Sequence, residues 1–456
     1  MIKILIISYH FPPDAAIGGV RPYQFARLFP VHDIEPWVLT VSPEYAERWD
    51  MSMVVEGIPE ERIRCTSVGL SRMDHIYRLL LPLYKIAKWR KGISNSASNK
   101  SASDTSPDDV HKSDRDWFHK TPGRRRLLTW LLYPDYRIGW YKPAIQAANE
   151  MIAENRFDAI LSTSPPLVTH LIAHKLSCNY GIPWIMDLRD PWYGDWSKES
   201  DNSFLLKYLF NRLFNKCAAR ATKIILNTER LHKYVDIKNK NITQKTVAIP
   251  NGYMFNQQLI QNNDITSFSI SHYGNIYGKR NPYIFFQGYQ MWQSTYHKAE
   301  LNNEIRFYGE FEDNHPNKCF PDLNKSININ IIPSIPKENV PLRMSEDYVL
   351  LLIANNQPLQ IPGKAYEYLA SGKRILAITE NQGATADLLR DIPGCIIAES
   401  PEQVSQALER FYSEYKRGEL SIIDRSKYLN NLNYECRTAD MARVLKEVCA
   451  QYRRDN

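Results

Sequence analysis

A lysine and a glutamate stand three residues apart in a segment that has the boundaries of a helix. Pro362 and Gly363 precede Lys364, Glu367 follows it, and Gly372 ends the segment. Proline favours helix starts and glycine follows helix ends, so a helix is predicted here. Its first turn offers unpaired amides beside both charged side chains, which suits a ligand with phosphates and hydroxyls. The alternative is a surface helix whose two charges pair with each other.

A second candidate site follows the first apolar run of the chain. His10 comes just after that run, and Gly18, Gly19 and Arg21 lead into the next helical stretch. Such glycines let a phosphate approach backbone amides, and we predict that these three residues contact a phosphate-bearing ligand. The histidine could act as an acid, a base or a hydrogen-bond donor, or it could be a structural turn residue. The loop lacks G-x-G-x-x-G, so no nicotinamide cofactor is expected.

Charged residues also follow a later apolar run, where Arg189 and Asp190 lie in the sequence Asp-Leu-Arg-Asp-Pro-Trp. A carboxylate and a guanidinium on a rigid turn could orient a sugar hydroxyl or accept its proton, so both are candidate catalytic residues. The alternative is a salt bridge that only stabilises the loop.

A second glycine loop carries two adjacent cations. Gly274, Asn275, Lys279 and Arg280 follow another apolar run. The glycine permits close approach, and arginine can bind two phosphate oxygens at once, so the loop suits a diphosphate. Cations can stabilise a departing phosphate without a metal, and no metal site is predicted.

Short apolar runs alternate with amphipathic stretches along most of the chain. Predicted strands span residues 3–9, 37–41, 64–68, 158–163, 183–187, 223–227 and 246–250, and then 267–273, 304–308, 327–332, 348–354, 374–379 and 394–398. This alternation predicts an α/β protein with doubly wound, mostly parallel sheets. We expect two Rossmann-like domains that face each other across a cleft.

Changes in composition suggest the domain boundaries. We predict an N-terminal domain over residues 1–255, a polar linker over 256–266 and a C-terminal domain over 267–456. The last helical stretch could close the second domain or cross back to the first. Residues 92–116 are rich in Ser, Asn, Asp and Lys, which predicts a flexible insertion.

The chain has the composition of a globular protein: it has 456 residues, a net charge of +7 and seven scattered cysteines. It has no apolar run long enough to span a membrane. Residues 72–91 and 124–141 border the insertion and mix basic, aromatic and aliphatic residues, a pattern typical of helices on anionic lipid. They could instead pack on their own domain. We expect a cytoplasmic protein that is peripheral on the inner face of the cell membrane.

In combination, these motifs resemble bacterial family 4 glycosyltransferases of the polysaccharide-biosynthesis type. The motifs that carry the resemblance lie at residues 11–21, 133–140, 162–166, 187–192, 249–252, 274–280 and 361–378. They cover nearly the whole chain outside the insertion. The resemblance implies the two-domain GT-B fold and sugar transfer from a nucleotide donor, with retention of anomeric configuration and without a metal.

The resemblance also implies roles for particular residues. Gly18 and Gly19 would support the donor diphosphate from the first domain. Lys279 or Arg280 would bind it from the second domain, and Glu367 would hold the ribose hydroxyls.

One position departs from the family pattern. Many members carry two glutamates spaced E-x7-E; Glu367 fits the second, but Leu359 occupies the first. Sugar recognition would then fall to main-chain groups of residues 355–361.

These features lead to one main hypothesis about function. The protein is a hexosyltransferase that moves a sugar from a UDP- or GDP-linked donor, as substrate and not cofactor, to a lipid-linked or oligosaccharide acceptor in surface or exopolysaccharide synthesis. An anionic membrane surface is an expected partner, and nucleic acid is not. The alternatives are a nucleotide-sugar 2-epimerase on the same fold and a non-catalytic scaffold subunit of a glycosyltransferase complex.

Overall fold

The computed structural model describes residues 1–46, 55–70, 133–192, 204–238, 240–254, 265, 267–276, 280–296, 304–311 and 329–455. Several predicted features lie outside these residues: Lys279, the insertion at 92–116, the basic stretch at 72–91, the first part of the stretch at 124–141 and nearly all of the linker.

Seven parallel strands form the first sheet, in the order β3-β2-β1-β4-β5-β6-β7. They are β1 (Ile2–Ile7), β2 (Ile34–Val41), β3 (Ile63–Thr66), β4 (Ala159–Ser164), β5 (Trp184–Leu188), β6 (Lys223–Leu226) and β7 (Thr246–Ala248). Helices cover both faces of the central strands, which is why these strands are continuous apolar runs. The order of the strands reverses between β1 and β4, and doubly wound sheets bind ligands at such a point.

Six parallel strands form the second sheet, in the order β10-β9-β8-β11-β12-β13. They are β8 (Ser269–Tyr273), β9 (Glu304–Tyr308), β10 (Ile329–Ile332), β11 (Val349–Ile353), β12 (Arg374–Ile378) and β13 (Cys395–Ala398). Here the order reverses between β8 and β11. The two doubly wound parallel sheets confirm the predicted fold class, and each strand overlaps a predicted one.

Helices connect these strands. They are α1 (Val20–Leu28), α2 (Tyr141–Glu154), α3 (Val168–Tyr180), α4 (Phe204–Arg220), α5 (Glu229–Lys238), α6 (Tyr283–Thr295), α7 (Val340–Ser345), α8 (Gly363–Ala370), α9 (Ala384–Leu389), α10 (Pro401–Lys416), α11 (Ser426–Leu429) and α12 (Tyr434–Asp455). Helix α8 begins just after Pro362, and Gly372 beyond its end has a φ of +71°, the left-handed conformation that glycine adopts most easily.

The last helix, α12, packs on the first domain. Its residues Met441, Leu445 and Val448 are buried in the same apolar cluster as Ile4 of β1 and Phe25 of α1. The chain thus leaves the first domain after β7 and returns to it at its end. Packing of α12 fixes one edge of the second domain against the first, so the carboxyl ends of both sheets are held near each other.

Candidate functional site

His10 lies in the loop after β1, where a neighbouring carboxylate holds its ring. His10 is 6% exposed, and its Nδ1 donates to Asp14 Oδ2 at 2.7 Å. The other oxygen of Asp14 accepts from the Ala16 amide at 3.0 Å. Because Nδ1–H is used in this way, Nε2 is the ring atom left to act on a ligand. Sequence reasoning missed Asp14, although its spacing of four residues from His10 was visible.

Gly18 packs closely against two side chains in this loop. A Cβ there would lie 3.0 Å from His10 Cδ2 and 3.1 Å from both terminal nitrogens of Arg189. The amide of Gly19 donates to the Ala16 carbonyl at 2.8 Å, so that donor is already used within the loop. The glycine loop is therefore held against His10 with its backbone at the edge of the cleft.

Arg189 holds three loops together. Its Nη1 donates to the Gly18 carbonyl. Its Nε and Nη2 donate to the carbonyls of Ser164 and Pro165, at 2.9 and 2.7 Å. It is 8% exposed, and burial lowers its pKa, because the charged form loses water. This geometry makes Arg189 a residue that positions the glycine loop, whereas the sequence suggested direct action on a sugar.

Asp190, the next residue, lies at the boundary between the two domains. Its Oδ1 accepts from Gln360 Nε2 at 2.6 Å. Burial raises the pKa of Asp190, and the nearby Arg189 charge opposes that effect. A carboxylate at this edge is within reach of a ligand that enters the cleft beside the Gln360 loop.

The structure corrects the prediction for Arg21. Its guanidinium donates to both carboxylate oxygens of Asp187, at 2.9 and 3.0 Å. It also donates to the carbonyls of Ile249 and Pro250, at 2.8 and 2.9 Å. Arg21 is 1% exposed, so it lies inside the first domain instead of at a donor site. A buried, doubly bonded ion pair of this kind fixes α1 against β5.

In the second domain, Gly274 brings the loop after β8 against Lys364 of α8. Gly274 has a φ of +103°, and a Cβ there would lie 2.9 Å from Lys364 Nζ. That nitrogen donates to His272 Nε2 at 3.1 Å, and His272 Nδ1 bonds the Leu351 carbonyl at 2.8 Å. The second bond fixes the ring so that Nε2 is an acceptor. Sequence reasoning missed His272, which sits within an apolar strand.

The pKa of Lys364 lies below that of an ordinary lysine. Burial removes water from its charged ammonium and is the largest cause of a pKa of about 7. The Arg280 charge also lowers the pKa, and the Glu367 charge raises it. Burial also raises the pKa of Glu367, against the charges of Lys337 and Lys364. A half-buried cation and carboxylate at the start of α8 thus lie close enough to affect each other.

Two more residues that were predicted to bind the donor, Arg280 and Asn275, lie at different loops of the second domain. Arg280 Nε donates to Gln357 Oε1 at 3.1 Å, which places this cation beside the loop after β11. Asn275 Oδ1 accepts from the Glu310 amide at 3.1 Å and from Ser334 Oγ at 3.3 Å. The Asn275 oxygen therefore shapes the loops after β9 and β10.

The two halves of the site meet at the start of α8. A Cβ on Gly363 would lie 3.5 Å from Ile17 Cδ1, in the glycine loop of the first domain. Nearby, the carbonyl of Leu359 accepts from Thr228 Oγ1 at 2.8 Å. Leu359 thus contributes a main-chain contact between domains at the position where a glutamate would stand. The glycine loop of the first domain thus lies against the first turn of the helix that carries Lys364.

Within the described residues, no three His, Cys, Asp or Glu side chains come together in a way that would hold a metal ion. No helix that the structure describes is both long and apolar enough to cross a bilayer.

The comparisons with known proteins concern the fold. No protein-family model matches the sequence, and no curated protein matches it significantly. Sucrose-phosphate synthase from Thermosynechococcus elongatus superposes with a TM-score of 0.60 at 10% identity, over 99% of this chain and 100% of that chain. Trehalose 6-phosphate synthase from Burkholderia multivorans gives 0.59 at 13% identity, over 99% and 100%. Anabaena HepE, in complex with UDP and glucose, gives 0.54 at 12% identity, over 100% and 99%. The likeness extends over both domains and shows that the chain has the GT-B fold.

Proposed function

We propose that this protein is a retaining, metal-independent glycosyltransferase of the family 4 type. It moves a sugar from a UDP- or GDP-linked donor to a lipid-linked or oligosaccharide acceptor. The observation that carries the proposal is that Ile17, beside Gly18 in the glycine loop, packs against the start of α8 at Gly363. A diphosphate placed there would meet main-chain groups of one domain and cations of the other.

The residues of the second domain suit the leaving group. Lys364 and Arg280 lie close enough for their charges to interact. Both would stabilise the negative charge that develops on the nucleoside diphosphate as the glycosidic bond breaks. Glu367, on the same helix as Lys364, would accept hydrogen bonds from ribose hydroxyls. His10, fixed by Asp14, would contact the transferred sugar through Nε2.

The solved structures with this fold support a nucleotide-sugar substrate. HepE was solved with UDP and glucose, and sucrose-phosphate synthase and trehalose 6-phosphate synthase are named for the synthesis of phosphorylated sugars. At these identities they support the reaction class and leave the sugar and the acceptor open.

The test is a transfer assay with purified protein. A panel of UDP- and GDP-sugars is incubated with a lipid-linked acceptor; nucleoside diphosphate release is measured, and NMR gives the anomeric configuration of the product. We expect one donor to yield a product of retained configuration, with activity unchanged by a chelator. Arg280→Ala should lower transfer by roughly a hundredfold, as loss of a charge-stabilising donor does in other enzymes. Arg410→Ala, at a side chain of α10 that is 67% exposed, is the control and should leave it unchanged.

Leu359 favours one alternative, a non-catalytic scaffold subunit. Its side chain packs against the core of the first domain, so no carboxylate reaches the sugar from this position. The scaffold hypothesis predicts that nucleotide raises the melting temperature while no acceptor yields nucleotide release. Conversion of the donor alone, without acceptor, would instead indicate the 2-epimerase.

A further inference from the structure

Helix α4 buries one apolar face against the first domain. Leu206, Phe210 and Phe214 follow each other at four-residue intervals and are buried. This stripe accounts for the packing of α4, so the opposite face of the helix would be polar in an ordinary surface helix.

The opposite face is apolar as well at the start of α4. Phe204 is 84% exposed, Leu205 is 52% exposed and Tyr208 is 53% exposed. Residues three and four positions apart are neighbours on a helix surface, so Tyr208 adjoins both Leu205 and Phe204 and the three side chains form one patch. Single exposed apolar residues are common, but a cluster of large ones marks a surface that contacts a partner or a membrane.

The charge of α4 indicates which partner this is. In 17 residues the helix carries Lys207, Arg212, Lys216 and Arg220 and no acidic residue. Arg212 and Lys216 are exposed further along the helix from the patch. Aromatic and aliphatic side chains beside basic ones match an anionic lipid surface, with apolar groups in the acyl boundary and cations at the headgroups.

The position of α4 places this surface next to the cleft. Trp192 Nε1 donates to the carbonyl of Phe210 at 3.1 Å, and Trp192 lies two residues after Asp190. Tyr133 Oη donates to the neighbouring carbonyl of Leu209 at 3.2 Å. Through these bonds α4 is fixed to the loop that carries a candidate catalytic carboxylate.

A pocket also lies along this helix. It has a volume of about 270 Å³ and is lined by Leu213 and Cys217 of α4, Leu171 of α3 and Ile138, with Lys216 among the lining residues. A lipid chain in this pocket would leave its anionic headgroup beside a cation.

We propose that the exposed face of α4 rests on an anionic lipid bilayer, with Phe204, Leu205 and Tyr208 inserted at the interface and Arg212 and Lys216 at the headgroups. The residues of this surface all belong to α4 and so differ from those of the basic stretches predicted from sequence. The biological role of this surface rests on the proposed function, because a lipid-linked acceptor lies in a bilayer. Lipid binding itself is measured without any sugar transfer.

The experiment is cosedimentation with vesicles of phosphatidylglycerol and phosphatidylcholine in equal parts, and with phosphatidylcholine alone. The full chain should bind the anionic vesicles, less so at high salt. Phe204→Ser/Leu205→Ser/Tyr208→Ser should lower the partition coefficient at least about tenfold. Arg212→Gln/Lys216→Gln should lower binding to anionic vesicles by roughly thirtyfold and weaken its salt dependence.

A matched control replaces apolar residues that are equally exposed elsewhere. Leu342 and Leu420 are 61% and 66% exposed in the second domain, and Leu342→Ser/Leu420→Ser should bind vesicles like the unmodified chain. Equal melting temperatures would show that all variants fold.

Three results would overturn the inference: no binding of the unmodified chain to anionic vesicles, full binding by the triple variant, or a dimer that the triple variant disperses without any lipid binding. The last result would assign the face to self-association. If the unmodified chain binds vesicles through this face but transfers no sugar, the proposed function fails and the lipid surface stands.

Discussion

At the scale of single residues, the site depends on side chains whose protonation is set by their neighbours. Lys364 contacts a histidine that is held neutral: burial keeps the pKa of His272 well below its usual value, with the charge of Lys364 acting in the same direction. Lys364 can donate to that ring whether or not it is itself charged. Its protonation therefore responds to pH and to a bound phosphate.

We predict that Lys364 controls the pH dependence of donor use. With a pKa of about 7, it is protonated below pH 7 and neutral above it in the free protein. A diphosphate favours the charged form, so kcat/KM for the donor should fall about tenfold per unit above roughly pH 7. Lys364→Arg keeps its positive charge, so its kcat/KM should not fall above about pH 7. Lys364→Gln has no charge, so its kcat/KM should be low at every pH. If kcat/KM of Lys364→Arg still falls above about pH 7, the titrating group is another residue.

We predict that Asp14 acts through His10. Asp14→Asn keeps an acceptor for the Ala16 amide but loses the charge that fixes Nδ1–H, so kcat should fall about tenfold to a hundredfold with little change in donor KM. His10→Ala should have a similar effect, and the double variant should be no worse. Asp33→Asn, at a side chain that is 87% exposed, is the control and should leave kcat unchanged. Additive losses would mean that the two residues act separately.

At the scale of elements, local patterns predicted most of the fold. Central strands such as β1 and β11 are short apolar runs, because a parallel strand buried on both faces needs no polar alternation. The boundaries of α8 followed from Pro362 and Gly372, whose backbone preferences act over a few residues.

Partners that are distant in sequence were not predictable in this way. Arg21 and Asp187 are 166 residues apart, and a basic residue beside two glycines looks the same whether it faces a ligand or a buried carboxylate. The bond between Gln360 and Asp190 depends on how the domains meet, which no local pattern encodes.

Helix α12 should contribute to the stability of a domain far from it in sequence. Leu445 is fully buried in the cluster that contains β1 and α1. Leu445→Ala should lower the free energy of unfolding of the first domain by about 2–5 kcal/mol, because it leaves a cavity there. Leu420→Ala, at a leucine that is 66% exposed, should change it by less than about 0.5 kcal/mol. Urea unfolding followed by tryptophan fluorescence measures both; equal stabilities would place α12 outside the first domain's folding unit.

At the scale of the whole molecule, the cleft is bridged by contacts between the domains on both sides of the Gln360 loop. Thr228 donates to the Leu359 carbonyl, and Gln360 Nε2 donates to Asp190 Oδ1 at 2.6 Å. Arg230 of α5 forms a two-point ion pair with Asp387 of α9, with Nη2 to Oδ1 at 2.9 Å. A donor that must touch both domains binds best when these contacts hold the cleft closed.

We predict that the Arg230–Asp387 pair favours the closed arrangement and so increases donor affinity. The pair is partly exposed, and such pairs contribute about 0.2–1 kcal/mol, so Arg230→Asp should raise donor Kd roughly twofold to fivefold. The charge swap Arg230→Asp/Asp387→Arg restores an ion pair and should return Kd toward its original value, whereas two unrelated effects would add. Arg390→Asp removes a charge that also lies near Asp387 but within the same domain, so it should leave Kd unchanged. Calorimetric titration with the nucleoside diphosphate measures Kd, and the radius of gyration from solution scattering shows whether weaker binding accompanies a wider cleft. If the charge-swapped variant binds as weakly as Arg230→Asp, this ion pair does not hold the cleft closed.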